Sequence, residues 1–211
     1  MIIDATFFGR EYGYLCFHDG QQIVYAKEIK TETVAELVSG ILELKRAGYR
    51  FASFTVDGKK GFIRALKRLF PAVPVQMCQF HQQAIIQRYI TNKPKTFCGQ
   101  ELKELMKRFC KNDAQKWIDD FYALQERYEG FLSERNENGD FMHGRLRSAF
   151  RSIRTNLPYL FVHQEITSTI IPHTTNRIEG CFSHLKEKIK LHRGLRLDRK
   201  KKAILFILYM S

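Results

Sequence analysis

The sequence predicts an α/β fold in which a mixed sheet of five strands carries helices on its faces and is interrupted by an all-helical stretch. Three features carry that expectation. The first thirty residues alternate in aromatic and β-branched types between turn signals. From residue 31 to 77, helical and extended patterns take turns, and from about 82 to 170 helical spacing recurs while the extended pattern fades.

Ile2 to Phe8, Tyr12 to Phe17 and Gln22 to Ile29 read as three short antiparallel strands, separated by Gly9-Arg10 and by His18-Asp19-Gly20. Thr31-Glu32-Thr33 then opens a helix with Val34, Leu37, Val38, Ile41, Leu42 and Leu44 at helical spacing, ending near Gly48. Phe51 to Val56 is a strand that runs into Asp57-Gly58. Phe62, Ala65-Leu66 and Leu69-Phe70 form a second helix stopped by Pro71, and Val73 to Met77 reads as the fifth strand. Three antiparallel strands followed by alternating helices and strands make a mixed sheet.

In the middle of the chain, Leu102, Leu105-Met106 and Phe109, then Trp117-Ile118, Phe121-Tyr122 and Leu124, repeat with helical period, and Asn136 to Asp140 is the clearest loop. Trp117, with Phe121 four residues on, reads as helical core. After Pro172, Ile178, Cys181-Phe182, Leu185 and Ile189 give a strong late helix, followed by the basic run Arg199 to Lys202.

The charge narrows the function. Thirty-five Lys and Arg against 22 acids leave +13 over 211 residues, with a pI near 9.6. That balance points to a polyanionic partner, nucleic acid first, against the plainer reading of a solvated basic surface. It is uneven as well: Gly58 to Gln100 holds eight Lys/Arg and no acid, and Phe141 to Lys202 holds fourteen against four. Five cysteines, an odd number, argue against a disulfide framework and for a reducing compartment, so a cytoplasmic, nucleoid-associated protein is expected. The longest apolar run, Ala203 to Met210, falls far short of the ~20 residues that span a bilayer, so no membrane role is expected.

Three acids stand out by position: Asp4 within the first strand, Asp57 where the fourth strand meets a helix, and Glu179 at the start of the late helix. Each has a plain structural reading beside a catalytic one. Asp4 could face solvent from its strand, Asp57-Gly58 could be a turn or a helix cap, and Asn176 to Glu179 fits a capping box. Carboxylates at strand ends on one sheet rim can instead converge on hard divalent cations, and two such ions ~4 Å apart can cleave a phosphodiester. Cys78-Gln79-Phe80-His81 and Cys181-Phe182-Ser183-His184 are two Cys-x-x-His pairs that could together bind zinc, although Cys181 falls on the apolar stripe of its helix, where a buried thiol is commoner.

The stretches Ile3-Asp4-Ala5-Thr6-Phe7-Phe8, Val56-Asp57-Gly58-Lys59-Lys60-Gly61, Phe70-Pro71 through Gln76-Met77-Cys78-Gln79-Phe80-His81, and Thr175-Asn176-Arg177-Ile178-Glu179-Gly180 resemble, in kind, order and spacing, the bacterial DDE transposases of Mutator-like type. The resemblance implies a ribonuclease-H-like core at 1–92, an all-helical insertion at 93–171, and the C-terminal helices of the core at 172–211. It implies that Asp4, Asp57 and Glu179 ligate two Mg²⁺ or Mn²⁺ ions, with Cys78, His81 and Asn176 in the active-site region. The partners it implies are transposon ends and target DNA, bound by a homo-oligomer that hydrolyses at the element's end and then transfers the strand. Lys59, Lys60 and Arg64 after the second acid, and Lys186, Lys190 and Arg193 after the third, are the expected phosphate contacts. With Asp4 so near the start, the chain is expected to be truncated and to lack the separate N-terminal DNA-binding module of such enzymes. Two other functions are compatible with the same residues: a ribonuclease-H-like nuclease or resolvase, and a non-catalytic basic DNA-binding protein.

Overall fold

The structure is a computed structural model; it describes residues 1–111, 113–192 and 194–210, with the backbone alone at residue 60. The chain divides into two compact units, Met1–Cys78 with Ile166–Ser211, and Gln79–Glu165.

The first unit is built on a five-stranded mixed sheet of β1 (Ile2–Phe8), β2 (Tyr12–His18), β3 (Ile23–Ile29), β4 (Phe54–Val56) and β5 (Val75–Met77), in the order β3-β2-β1-β4-β5. β1 pairs antiparallel with β2, and β2 with β3, while β4 joins β1 in parallel and β5 joins β4 in parallel. Two tight turns make the antiparallel half local. Gly9 adopts a positive φ of 69° between β1 and β2. Between β2 and β3, the Asp19 carboxylate accepts the amides of Gln21 and Gln22, at 2.7 and 2.9 Å. Every residue of β2 is buried, as a strand covered on both faces requires.

Alternation assigns the two faces. Ile2 of β1, Tyr12, Tyr14 and Cys16 of β2, and Ile23 and Ala26 of β3 pack against two helices from the C-terminal part of the chain, α9 (Asn176–Leu191) and α10 (Leu197–Tyr209). α9 contributes Ile178, Phe182, Leu185 and Ile189, its apolar stripe, and α10 contributes Ile204 and Leu208. The opposite face carries Leu15 and Phe17 and is covered by α1 (Val34–Arg46), capped by the Thr33 hydroxyl on the Glu36 amide at 3.2 Å. A Cβ on Gly40 of α1 would come within 2.7 Å of two atoms of the buried Phe17 ring, so glycine sets how closely this helix approaches the sheet. α2 (Lys60–Leu69) follows β4 and ends at Phe70, whose ring packs with Phe51 and Phe54.

The fourth and fifth strands are shorter than the patterns at 51–56 and 73–77 predict. Residues 51–53 form a lead-in that turns Phe51 back on Phe54 and Phe70, and ladder pairing starts only at Phe54, whose amide donates to Pro74.

The second unit is helical: α3 (Gln79–Ile90), α4 (Phe97–Lys107), α5 (Ala114–Arg127), the short α6 (Glu129–Ser133), α7 (Gly144–Asn156), a 3-10 turn at Leu157–Tyr159 and α8 (Val162–Glu165). Trp117 is fully buried; its ring packs with Phe109, Phe121 and Phe161 and its indole N–H donates to the Leu105 carbonyl at 3.1 Å. Asn156 of α7 donates to Gln82 of α3 at 2.8 Å, a buried polar pair that fixes the register of these two helices.

Gly40→Val is expected to destabilise the protein by about 1–3 kcal/mol through overpacking against Phe17, more than the small helix-propensity gain returns, read as a lower denaturant midpoint at unchanged m-value. His18 gives a pH dependence. Its ring is buried, Nδ1 accepts the Gly20 amide at 2.9 Å, and burial holds its pKa below the ordinary 6.5. A folded-state value below the unfolded one means that its stability contribution is complete above pH 6.5 and is lost as pH falls through the depressed value. Between roughly pH 7 and 5, near the ordinary His range, Tm should fall less in His18→Gln than in the wild type; identical slopes would exclude this residue as a cause.

Candidate active site

Asp4 and Asp57 come together through strand register. In the parallel pairing of β1 with β4, Ile3 lies opposite Val56, and the next residues along the two strands are Asp4 and Asp57. Neighbouring strands run ~4.8 Å apart, so the two residues occupy adjacent positions at the end of the parallel ladder. Asp4 lies on the sheet face that α9 covers, and Asp57 follows directly on the end of β4. Ile2, which shares Asp4's side of β1, packs against α9, and Thr55, two residues before Asp57, donates its hydroxyl to Pro172 in the segment leading to α9 at 2.6 Å. Across the antiparallel pair Asp4 faces Cys16, whose thiol is pushed well up by burial and then by the Asp4 charge.

β5 continues the same rim. Val56 lies opposite Met77, and the Cys78 amide donates to the Val56 carbonyl at 2.7 Å, which places Cys78 beside Asp57. From Cys78 a short chain of contacts reaches the third acid. The Thr175 amide donates to Cys78 Sγ at 3.4 Å, Cys78 Sγ lies 3.3 Å from the Thr175 hydroxyl, and that hydroxyl donates to Glu179 Oε1 at 2.6 Å. An ionised carboxylate only accepts, so the single hydroxyl proton of Thr175 is committed to Glu179 and the Cys78 thiol must be the donor to Thr175. Cys78 Sγ and a Glu179 carboxylate oxygen are within 4.8 Å of each other. Cys78 and Glu179 are thus linked through Thr175, and strand register sets Asp4, Asp57 and Cys78 at neighbouring positions of one sheet edge; among the described residues the three acids do not form a group of ligand atoms within 4.8 Å of one another.

The capping-box reading of Asn176 to Glu179 is replaced by a different arrangement. α9 begins one residue earlier than that reading requires: its N-cap is Thr175, and the Glu179 carboxylate takes the Thr175 hydroxyl instead of reaching back to a cap amide. All three acids are half-buried. Asp4 Oδ1 accepts the Ala5 amide at 2.8 Å and Asp57 Oδ1 accepts the Lys59 amide at 3.1 Å, so one oxygen of each acid is oriented by a neighbouring donor. Among the described residues, the second oxygens of Asp57 and Glu179 make no hydrogen bond or ion pair.

The remaining residues singled out by sequence fall into three groups. Lys59 is engaged: its ammonium donates to the Glu32 carbonyl, sits 3.1 Å from the Glu32 carboxylate and lies over the Phe62 ring. Arg64 on α2, and Asn176, Lys186 and Lys190 on α9, are exposed. The Lys60 side chain and Arg193 lie outside the described residues. The Cys-x-x-His motif is divided between the units, since Cys78 closes the first and His81 lies on α3 of the second. The second pair, Cys181 and His184, belongs to no cluster of three or more metal-ligating side chains among the described residues; Cys181 packs against the Cys16 core. Thr175 escaped the sequence reading, although a threonine one position ahead of Asn176 was a competing cap signal.

No curated protein matches the chain. The family model for the Mutator family of transposases matches residues 17–193, a span that includes Asp57, Cys78 and Glu179 and begins after Asp4. Most of the sequence lies within that match, and no helix among the described residues is long and apolar enough to cross a membrane. On that match this protein belongs to the Mutator family of transposases.

Proposed function

We propose that the chain is the catalytic region of a DDE-type transposase with a ribonuclease-H-like core, in which Asp4, Asp57 and Glu179 hold two divalent metal ions, Mg²⁺ or Mn²⁺. What supports this reading is the adjacent placement of Asp4 and Asp57 at the end of the β1–β4 ladder, with Glu179 tied through Thr175 to Cys78, the residue that follows the neighbouring β5. The donor set fits the ions: carboxylate oxygens suit hard divalent cations, and the uncommitted second oxygens of Asp57 and Glu179 are available to them. Two such ions supply an activated hydroxyl nucleophile and a stabilised leaving oxygen. The residues around them orient those ligands: the Lys59 amide fixes Asp57, and the Thr175 hydroxyl fixes Glu179.

The substrates are the transposon ends and target DNA, hydrolysed first and then joined by 3′-hydroxyl attack, with the protein acting as a homo-oligomer because two ends must be held together. Arg64, Lys186 and Lys190, exposed on helices that follow the second and third acids, are phosphate contacts, with Lys60 and Arg193 as further candidates by sequence. Lys59 is a weaker candidate, because Glu32 already neutralises part of its charge. The helical stretch 93–171 is the family's insertion. A ribonuclease-H-like nuclease would use the same acids without strand transfer, so joining of a pre-cut transposon end to a target plasmid separates the two.

Asp4→Asn, Asp57→Asn and Glu179→Gln should each lower metal-dependent DNA nicking by about 10²–10³-fold or more, as loss of a preorganised charge at a transition state does, while DNA binding in EDTA persists. Equal loss of binding would remove the catalytic assignment. Thr175→Val removes a hydrogen bond to a charged group worth about 1.5–3 kcal/mol. It should raise the Mg²⁺ concentration for half-maximal nicking about 10- to 100-fold, the cost typical of an outer partner of a metal ligand. Thr175→Ser should restore it; an unchanged Mg²⁺ dependence in the valine variant would show that Thr175 does not position Glu179.

A further inference from the structure

The helical unit contains a cleft of about 400 Å³ bounded by α5, α6 and α7. Arg147, Arg151 and Arg154 line it from α7, and Ser133, Ser148 and Glu129 add hydroxyls and one carboxylate. The three arginines stand at i, i+4 and i+7, a single stripe on the helix. Like charges at that spacing cost a few tenths of a kcal/mol per pair, and among the described residues none of the three forms an ion pair with an acid. Glu129 is the one acid lining the cleft.

The inner end of the stripe is held in place. Arg147 donates to the Leu132 carbonyl at 2.7 Å, and its guanidinium carbon lies 3.5 Å from the centre of the Phe141 ring. Arg135 lies 3.9 Å from the same ring centre. Two guanidinium groups that close cannot share one face, so Phe141 is sandwiched between them. The turn that carries Phe141 is itself braced: Asn136 Oδ1 accepts the amides of Asn138 and Asp140 at 3.0 and 2.9 Å, and His143 contacts the Glu134 carboxylate at 3.0 Å. Cations are thereby gathered beside an open cleft. Both faces of the Phe141 ring are thus taken by guanidinium groups.

We propose that this cleft is a seat for DNA backbone phosphates, with Arg151 and Arg154, both exposed, making the contacts and Arg147 fixing the positive field behind them. Guanidinium forks match phosphate oxygens, and the serine hydroxyls add donors. The contact is sequence-independent because it reaches phosphate and not base edges. It rests on the reading of the chain as an enzyme acting on DNA, and it lies in the helical unit, away in sequence from the basic clusters that follow Asp57 and Glu179.

The test is a salt titration of the full chain binding random-sequence duplex DNA in EDTA, comparing the wild type with Arg151→Gln/Arg154→Gln and Arg151→Lys/Arg154→Lys. Each lost phosphate contact removes about 0.9 from the slope of log K against log salt. The Gln pair should flatten that slope by roughly 1–2 and cut the affinity lost between about 50 and 200 mM salt by about tenfold, at unchanged Tm, and the Lys pair should keep most of the slope. An unchanged slope, or no salt-sensitive binding at all, overturns the proposal. So does a cleft that low-millimolar inorganic phosphate occupies, by chemical-shift or Tm change, without any effect of the Gln pair on DNA affinity, which would make it a small-anion site. Metal-dependent nicking plays no part in the readout, so a failed catalytic reading appears separately, as nicking that survives Asp57→Asn.

Discussion

The parallel pairing of β1 with β4 is the constraint on which the candidate site depends. It sets residues separated by more than fifty positions in sequence into register and brings Asp4 and Asp57 to adjacent positions. Parallel pairing needs a crossover, and here two antiparallel turns and α1 intervene between β1 and β4. β1 therefore becomes an inner strand, hydrogen-bonded on both sides, and Asp4 is held in a ladder instead of a loop. Side chains on central strands have little freedom to drift, which is what a site built from converging carboxylates requires. The α9–sheet contact completes it, because the apolar stripe Ile178, Phe182, Leu185 and Ile189 seats the helix and so fixes where Glu179 enters.

Neighbouring carboxylates repel one another, and each of the three acids accepts an oriented donor that favours its charged form: the Ala5 amide on Asp4, the Lys59 amide on Asp57 and the Thr175 hydroxyl on Glu179. The donors come from backbone or from a buried side chain, so little extra ordering is needed when the fold forms. Cys78 has a defined part in this. Its thiol is the donor that leaves the Thr175 proton for Glu179, and its amide ties β5 to β4. The cysteine thus links the ladder to the helix that bears the third acid.

Much of the sheet was legible in the sequence because its antiparallel half is local. Gly9 and the Asp19-Gly20 turn set β1, β2 and β3 through short-range chemistry, and the expected strands match those observed to within a residue or two. α1 and α9 followed equally directly from apolar spacing. The adjacency of β1 and β4 was not legible from local pattern, because nothing in either strand encodes which distant edge it will meet; only the resemblance of motif order implied it. The capping-box alternative for Glu179 fails by a single residue at the start of α9. With Asn176 as cap, Glu179 would serve its own helix, whereas with Thr175 as cap its carboxylate is held at the rim.

The arginines of α7 mark a different limit. At i, i+4 and i+7, Arg147, Arg151 and Arg154 have the spacing of any solvated helix face, and sequence alone gives no reason to separate them from the rest of a basic chain. What distinguishes them is tertiary: α6 accepts from Arg147, and a turn ten residues earlier delivers Phe141 between two guanidinium groups. Arg147 is thereby fixed behind Arg151 and Arg154, whose exposed guanidinium edges offer the donors that a phosphate takes. Concentrated positive charge without acidic partners is a cost to the isolated fold, and a polyanion is the ligand that turns it into binding energy. On the two proposals, the acids at the sheet edge and the arginines of the helical cleft are two cases of one arrangement, in which packing sets like charges near one another and a counter-ion of opposite sign would relieve them.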